Sequence, residues 1–75
     1  MIKFYNSNIT KREREVLLLV IRGYSNSMIA QELVISVSTV KAHLESIYKK
    51  LNVHNKIQAS VKAICDSIVS LEDEN

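Results

Sequence analysis

Proline is absent from this 75-residue chain and glycine occurs once, at Gly23. The punctuation that a many-turned β fold needs is therefore missing, and helices joined by short turns are favoured. Cysteine also occurs once, at Cys65, so neither an intramolecular disulfide nor a cysteine-based zinc cluster can form. A reducing, cytoplasmic setting fits that usage. No apolar run approaches the roughly 20 residues needed to cross a bilayer, and the opening lacks the apolar stretch of a secretory signal, so a soluble protein with no membrane partner is expected. No glycine-rich loop could cradle a phosphate, and no nucleophile has a plausible base at an interpretable spacing. An enzyme is not expected, nor is any cofactor, metal site or small-molecule ligand evident. Internal repeats and low-complexity tracts are also missing.

What is present is apolar residue and unevenly placed charge. Hydrophobic residues make up 47% of the chain, enough for one small packed unit. The formal net charge is only +2, but three of the eight acids, Glu72, Asp73 and Glu74, stand together at the C-terminus. Without that tail ten bases face five acids. Between Ser36 and Lys62 the bases Lys41, Lys49, Lys50, Lys56 and Lys62 face only Glu45. Such a local basic field attracts polyanions, because neutralising phosphates releases condensed counterions. A solvated, solubilising surface is the competing explanation.

Along the chain, residues 1–8 show no period and are expected to be an arm or a linker remnant. Thr10 followed by Glu13 has the spacing of a capping box, so a helix should start there. Val16, Leu17, Val20 and Ile21 follow as one apolar face, broadened by Leu18 and Leu19, and Gly23 ends the helix, giving a span of about Lys11 to Arg22. Ser25 caps a second, short helix expected to carry Met28, Ile29 and Leu33 inward, with Ala30 small enough for a close neighbour. Ser36 caps a third, beginning near Val37. In it Val40, Leu44, Ile47, Tyr48 and Leu51 form one face and Ser38, Lys41, Ala42, Glu45 and Lys49 another. Ile57, Val61, Ile64, Cys65 and Ile68 mark a fourth helix from about Lys56 to Ser70, with Cys65 at core spacing. The expected fold is all-α, a compact four-helix unit over 9–71 followed by an acidic tail at 72–75.

Two short helices joined by a turn of three or four residues, the second presenting small and polar side chains outward, match a helix-turn-helix. A helix enters the major groove only if its outer face is slim and carries donors and acceptors for base edges. Ser38, Ala42 and Glu45 are slim or polar, and Lys41 and Lys49 can reach guanine edges or phosphates.

The residues themselves resemble a family. The run Ile9-Thr10-Lys11-Arg12-Glu13-Arg14-Glu15-Val16-Leu17, then Gly23-Tyr24-Ser25-Asn26, Ile29-Ala30, Ser36, Thr39-Val40-Lys41, His43, Ile47, Lys50-Leu51, Val53 and Ala59 resembles the LuxR-type helix-turn-helix DNA-binding domain. That domain is shared by quorum-sensing regulators, response regulators of the NarL and FixJ type, and small members such as GerE. The likeness spans positions 9 to about 65. It implies a bacterial transcription regulator whose third helix reads double-stranded DNA. By this resemblance Thr39 and His43 face the phosphate backbone, Lys41 faces the major groove, Ala42 and Glu45 fall where members read bases, and Lys50 lies near the backbone. The fourth helix is the one through which such domains pair. Three departures stand out: Met28 where glutamate is frequent, Glu45 where some relatives have lysine, and Lys56 where arginine is usual.

The expected DNA-binding set is therefore Asn26, Ser27, Ser38, Thr39, Lys41, Ala42, His43, Glu45, Lys49 and Lys50. Ser38, Lys41, Ala42 and Glu45 would sit near base edges, and Thr39, His43, Lys50, Asn26 and Ser27 would hold phosphates. A homodimer through Ile57, Val61, Ile64 and Ile68, on two half-sites, would raise affinity, with RNA polymerase or another regulator as a further partner and the nucleoid as the location. The rival expectation is an interaction module that keeps the fold but pairs with and titrates another regulator. Nothing resembling a receiver or autoinducer domain is present, which leaves open a stand-alone regulator or the output domain of a longer protein.

Overall fold

The structure, a computed structural model, describes residues 9–65. The arm at 1–8, the tail at 72–75 and Ile68 lie outside the described residues. Among the described residues the chain forms α1 (Lys11–Ile21), α2 (Asn26–Leu33), α3 (Val37–Leu51) and α4 (Lys56–Cys65), and no strand. The all-α expectation holds.

Each helix begins on a side chain that takes an amide hydrogen left over by the helical ladder. Thr10, Ser25 and Ser36 are extended, and their hydroxyl oxygens accept from the amides of Glu13, Met28 and Thr39 at 3.1, 3.2 and 3.0 Å. At α1 the box is complete, since Glu13 Oε1 accepts from the Thr10 amide at 3.0 Å. Ahead of α4, Asn55 Oδ1 accepts from the Gln58 amide at 2.8 Å.

The ends of the first three helices share one geometry. After each, a residue with positive φ turns the chain: Gly23 at 89°, Val34 at 57° and Asn52 at 57°. The amide of the following residue, Tyr24, Ile35 or Val53, then donates back to the carbonyl of Leu19, Ala30 or Tyr48 at 3.0, 3.0 and 2.9 Å. This is the Schellman pattern, and its usual hydrophobic companion is present, because Tyr24, Ile35 and Val53 all pack against the core. Glycine and asparagine suit that backbone. Valine does not.

Helices α1 and α3 each contact all three others. The core they enclose comprises Val16, Leu17, Leu19 and Val20 from α1, Ile29 and Ala30 from α2, Val40, Leu44, Ile47 and Leu51 from α3, and Ala59 and Ala63 from α4, closed by Ile9. Full burial of a leucine or isoleucine is worth about 1.5–3 kcal/mol, so Leu17, Ile29 and Ile47 are principal contributors.

Two expectations about faces are corrected. Met28 is 47% exposed, because α2 turns only Ile29 and Ala30 fully inward. Cys65 is exposed and not part of the core, because α4 buries Ala59 and Ala63, one turn apart, and so directs Ile57, Val61, Ile64 and Cys65 outward. The α1 end falls one residue before the expected Arg22.

Candidate nucleic-acid interface

The segment between α2 and α3 is three residues long, and each residue has one task. Val34 reverses the chain, Ile35 anchors the turn in the core, and Ser36 caps α3. These tasks set the two helices as a helix-turn-helix with α3 as its second helix.

The face of α3 opposite its core stripe carries Ser38, Lys41, Ala42, Glu45 and Lys49, all exposed, as expected. Thr39 is exposed too, with its Oγ1 2.9 Å from Ser36 Oγ, so the two hydroxyls engage each other at the head of the helix. His43 is half-buried at the edge of the apolar stripe. On α2, Ser27 is exposed, whereas Asn26 is half-buried and its Oδ1 is buried without a hydrogen-bond partner. That oxygen requires a donor, which a phosphate does not offer.

Lys50 stands apart from this set. Its Nζ donates to Glu13 Oε1 at 2.7 Å, and the Ser46 hydroxyl donates to Glu13 Oε2 at 2.6 Å. The carboxylate, 5% exposed, thus caps α1 and ties it to two positions of α3. Burial by itself raises the carboxyl pKa, but the hydrogen bonds from Lys50, Ser46 and Thr10 and the adjacent ammonium charge outweigh it and bring it to about 2. The Lys50 charge is therefore balanced inside the chain. Glu13 was legible as a cap, but its partners are 33 and 37 residues away and left no trace in local spacing.

Charge at the outer face is thus carried by Lys41 and Lys49, with Glu45 the opposing acid. Exposed apolar side chains are Met28 on α2, Val34 in the turn and Val37 at the head of α3, together with Ile57, Val61 and Ile64, which line α4 at 76, 55 and 51% exposure. Among the described residues no group of histidine, cysteine and carboxylate side chains could hold a metal, and no helix is long and apolar enough to cross a membrane.

A helix-turn-helix with this capping and this outer face has known relatives. The family described as bacterial regulatory proteins, luxR family, matches residues 7–63. The chain belongs to the luxR family of bacterial regulatory proteins. Among members of this family it is 50% identical over 56 residues to the transcriptional regulatory protein DegU of Brevibacillus brevis, covering 75% of this chain and 24% of that one. To LiaR, a transcriptional regulatory protein of Bacillus subtilis, it is 40% identical over 65 residues, covering 87% of this chain and 31% of the other. The crystal structure of the response regulator ChrA, from a heme-sensing two-component system, superposes with a TM-score of 0.80 and 39% identity over 81% of this chain and 30% of ChrA. The chain therefore spans about a quarter to a third of the length of these luxR-family proteins. DegU and LiaR are transcriptional regulatory proteins.

Proposed function

We propose that this luxR-family domain binds double-stranded DNA sequence-specifically in transcription regulation, with α3 in the major groove. The observation that carries the reading is the outer face of α3: small, polar and basic side chains, all exposed, on a helix held from behind by four buried aliphatic residues and by Glu13. Ser38, Lys41, Ala42 and Glu45 face base edges, lysine suiting guanine O6 and N7, alanine a thymine methyl, and the carboxylate a cytosine amino group. Thr39, His43, Ser27 and Lys49 hold phosphates, helped by the first amides of α2, and the Nδ2 of Asn26 is the end of that side chain able to join them. Lys50 acts as a strut behind the helix.

A single domain gives a modest footprint, so we place two copies on half-sites about one helical turn apart, paired through Ile57, Val61 and Ile64 of α4. In this reading the protein works in the cytoplasm at the nucleoid, where RNA polymerase or a second regulator is its further partner. The exposed apolar face of α4 also suits the rival reading, an interaction module that titrates another regulator.

Binding-site selection separates the two. The chain is incubated with a random duplex library at near-physiological salt, the retained DNA is sequenced, and the selection is repeated with Lys41→Ala and Glu45→Ala. Enrichment of a two-fold symmetric site, changed at defined positions by those substitutions, is expected. Salt-sensitive retention without enrichment would reject sequence reading and favour the interaction module.

A further inference from the structure

The first residue of α3 is aliphatic, and more than a third of its surface faces solvent. Val37 is 37% exposed and belongs neither to the buried cluster nor to the half-buried residues packed on it. The core contribution of α3 comes from Val40, Leu44, Ile47 and Leu51 instead. A β-branched residue also does not favour the helix at this position, where its χ1 is restricted.

Val37 lies four residues before Lys41, which places the two on one strip of α3 one turn apart. In helix-turn-helix docking the residues at the start of the second helix are those that meet base edges. A major groove offers one apolar group to such a side chain, the C5-methyl of thymine. We propose that Val37 is a specificity-determining residue that reads a thymine methyl in the half-site contacted by Lys41. This rests on the reading of DNA by α3 proposed above. Four residues of helix rise about 6 Å and base pairs are spaced about 3.4 Å apart, so the thymine lies about two base pairs from the base that Lys41 contacts. The stiff side chain loses little rotamer freedom on contact, which suits it to a small apolar target.

Deoxyuridine differs from thymidine only by that methyl, which makes the test direct. A site is first selected with the unaltered chain. Each thymine in it is then replaced singly by deoxyuridine, and affinities are measured for the unaltered chain, Val37→Ser and Val37→Ala, with circular dichroism to verify folding. One position is expected where loss of the methyl weakens the unaltered chain about four-fold and leaves Val37→Ser nearly unaffected, as removal of one buried methyl group implies. Val37→Ala, which favours helix and keeps one methyl, should show a loss between those of the unaltered chain and Val37→Ser and guards against a folding artefact. A selected site at which no deoxyuridine replacement distinguishes the unaltered chain from either variant overturns the role of Val37 and leaves DNA reading intact. Failure of the unaltered chain to select any site overturns both.

Discussion

Lys50 Nζ lies 2.7 Å from Glu13 Oε1, joining the first turn of α1 to the last turn of α3. Because Glu13 is also the reciprocal half of the α1 cap, one carboxylate fixes where α1 starts and how α3 lies against it. A buried ion pair of this kind adds little net stability against an apolar replacement, but losing one partner strands the other.

Acid should expose that dependence. The Glu13 carboxyl has its pKa lowered from 4.5 to about 2. A group depressed in the folded state contributes stability that is complete above the unfolded value and disappears as pH falls through the folded one. The window is thus from about pH 4.5 down to about pH 2, and the contribution is on the order of 3 kcal/mol. Urea denaturation of the chain and of Glu13→Gln at several pH values between 7 and 2 should show the difference between them shrinking across this window. A difference that stays constant with pH would refute the assignment.

The strut role of Lys50 separates from a phosphate contact through salt dependence. Lys50→Met alone should destabilise by about 3–5 kcal/mol because Glu13 keeps an unpaired charge, whereas Glu13→Gln combined with Lys50→Met should recover most of that loss. In DNA binding the double variant should keep the slope of log affinity against log salt, while Lys49→Ala should reduce it by about 0.9 if Lys49 neutralises one phosphate. A slope reduced equally by both would return Lys50 to the phosphate backbone.

Val34 holds φ 57° and ψ 50° with its side chain 87% exposed, so it bears the cost of a left-handed backbone without the benefit of burial. Val34→Asn should stabilise the fold by about 1 kcal/mol, since asparagine tolerates this region and little apolar contact is lost. For a domain of this size that corresponds to a rise in Tm of about 4–8 °C, read by thermal denaturation. An unchanged or lower Tm would show that the valine makes a compensating contact.

The two faces of α4 should respond oppositely. Ala59→Leu forces bulk into a fully buried position and should cost about 1–3 kcal/mol in denaturant titrations. Ile57→Ser, at a side chain 76% exposed, should change the stability of the single chain by no more than about 0.5 kcal/mol. If α4 pairs two copies, the same change should weaken self-association on DNA in analytical ultracentrifugation. Unaltered association would remove Ile57 from the pairing surface.

The helix starts, and the exit from α1 at Gly23, were legible in the sequence because the interactions that make them are local. A hydroxyl at Thr10, Ser25 or Ser36 finds its amide three residues on, and Gly23 accepts positive φ wherever the chain goes. The apolar stripe of α3 and its exposed opposite face were legible for the same reason, since helical period alone separates Val40, Leu44 and Ile47 from Lys41, Ala42 and Glu45. Tertiary structure decided the rest. Alanine and isoleucine are both apolar, and only the close approach of α4 to α1 and α3 determined that Ala59 and Ala63 go inward while Ile57, Ile64 and Cys65 go out. Likewise a lysine reads as a surface charge until a carboxylate 37 residues earlier is brought within hydrogen-bonding distance of it. Periodicity and capping act within about four residues, whereas the helix spacing that a core permits and the partner that a charge meets exist only once distant segments are packed together.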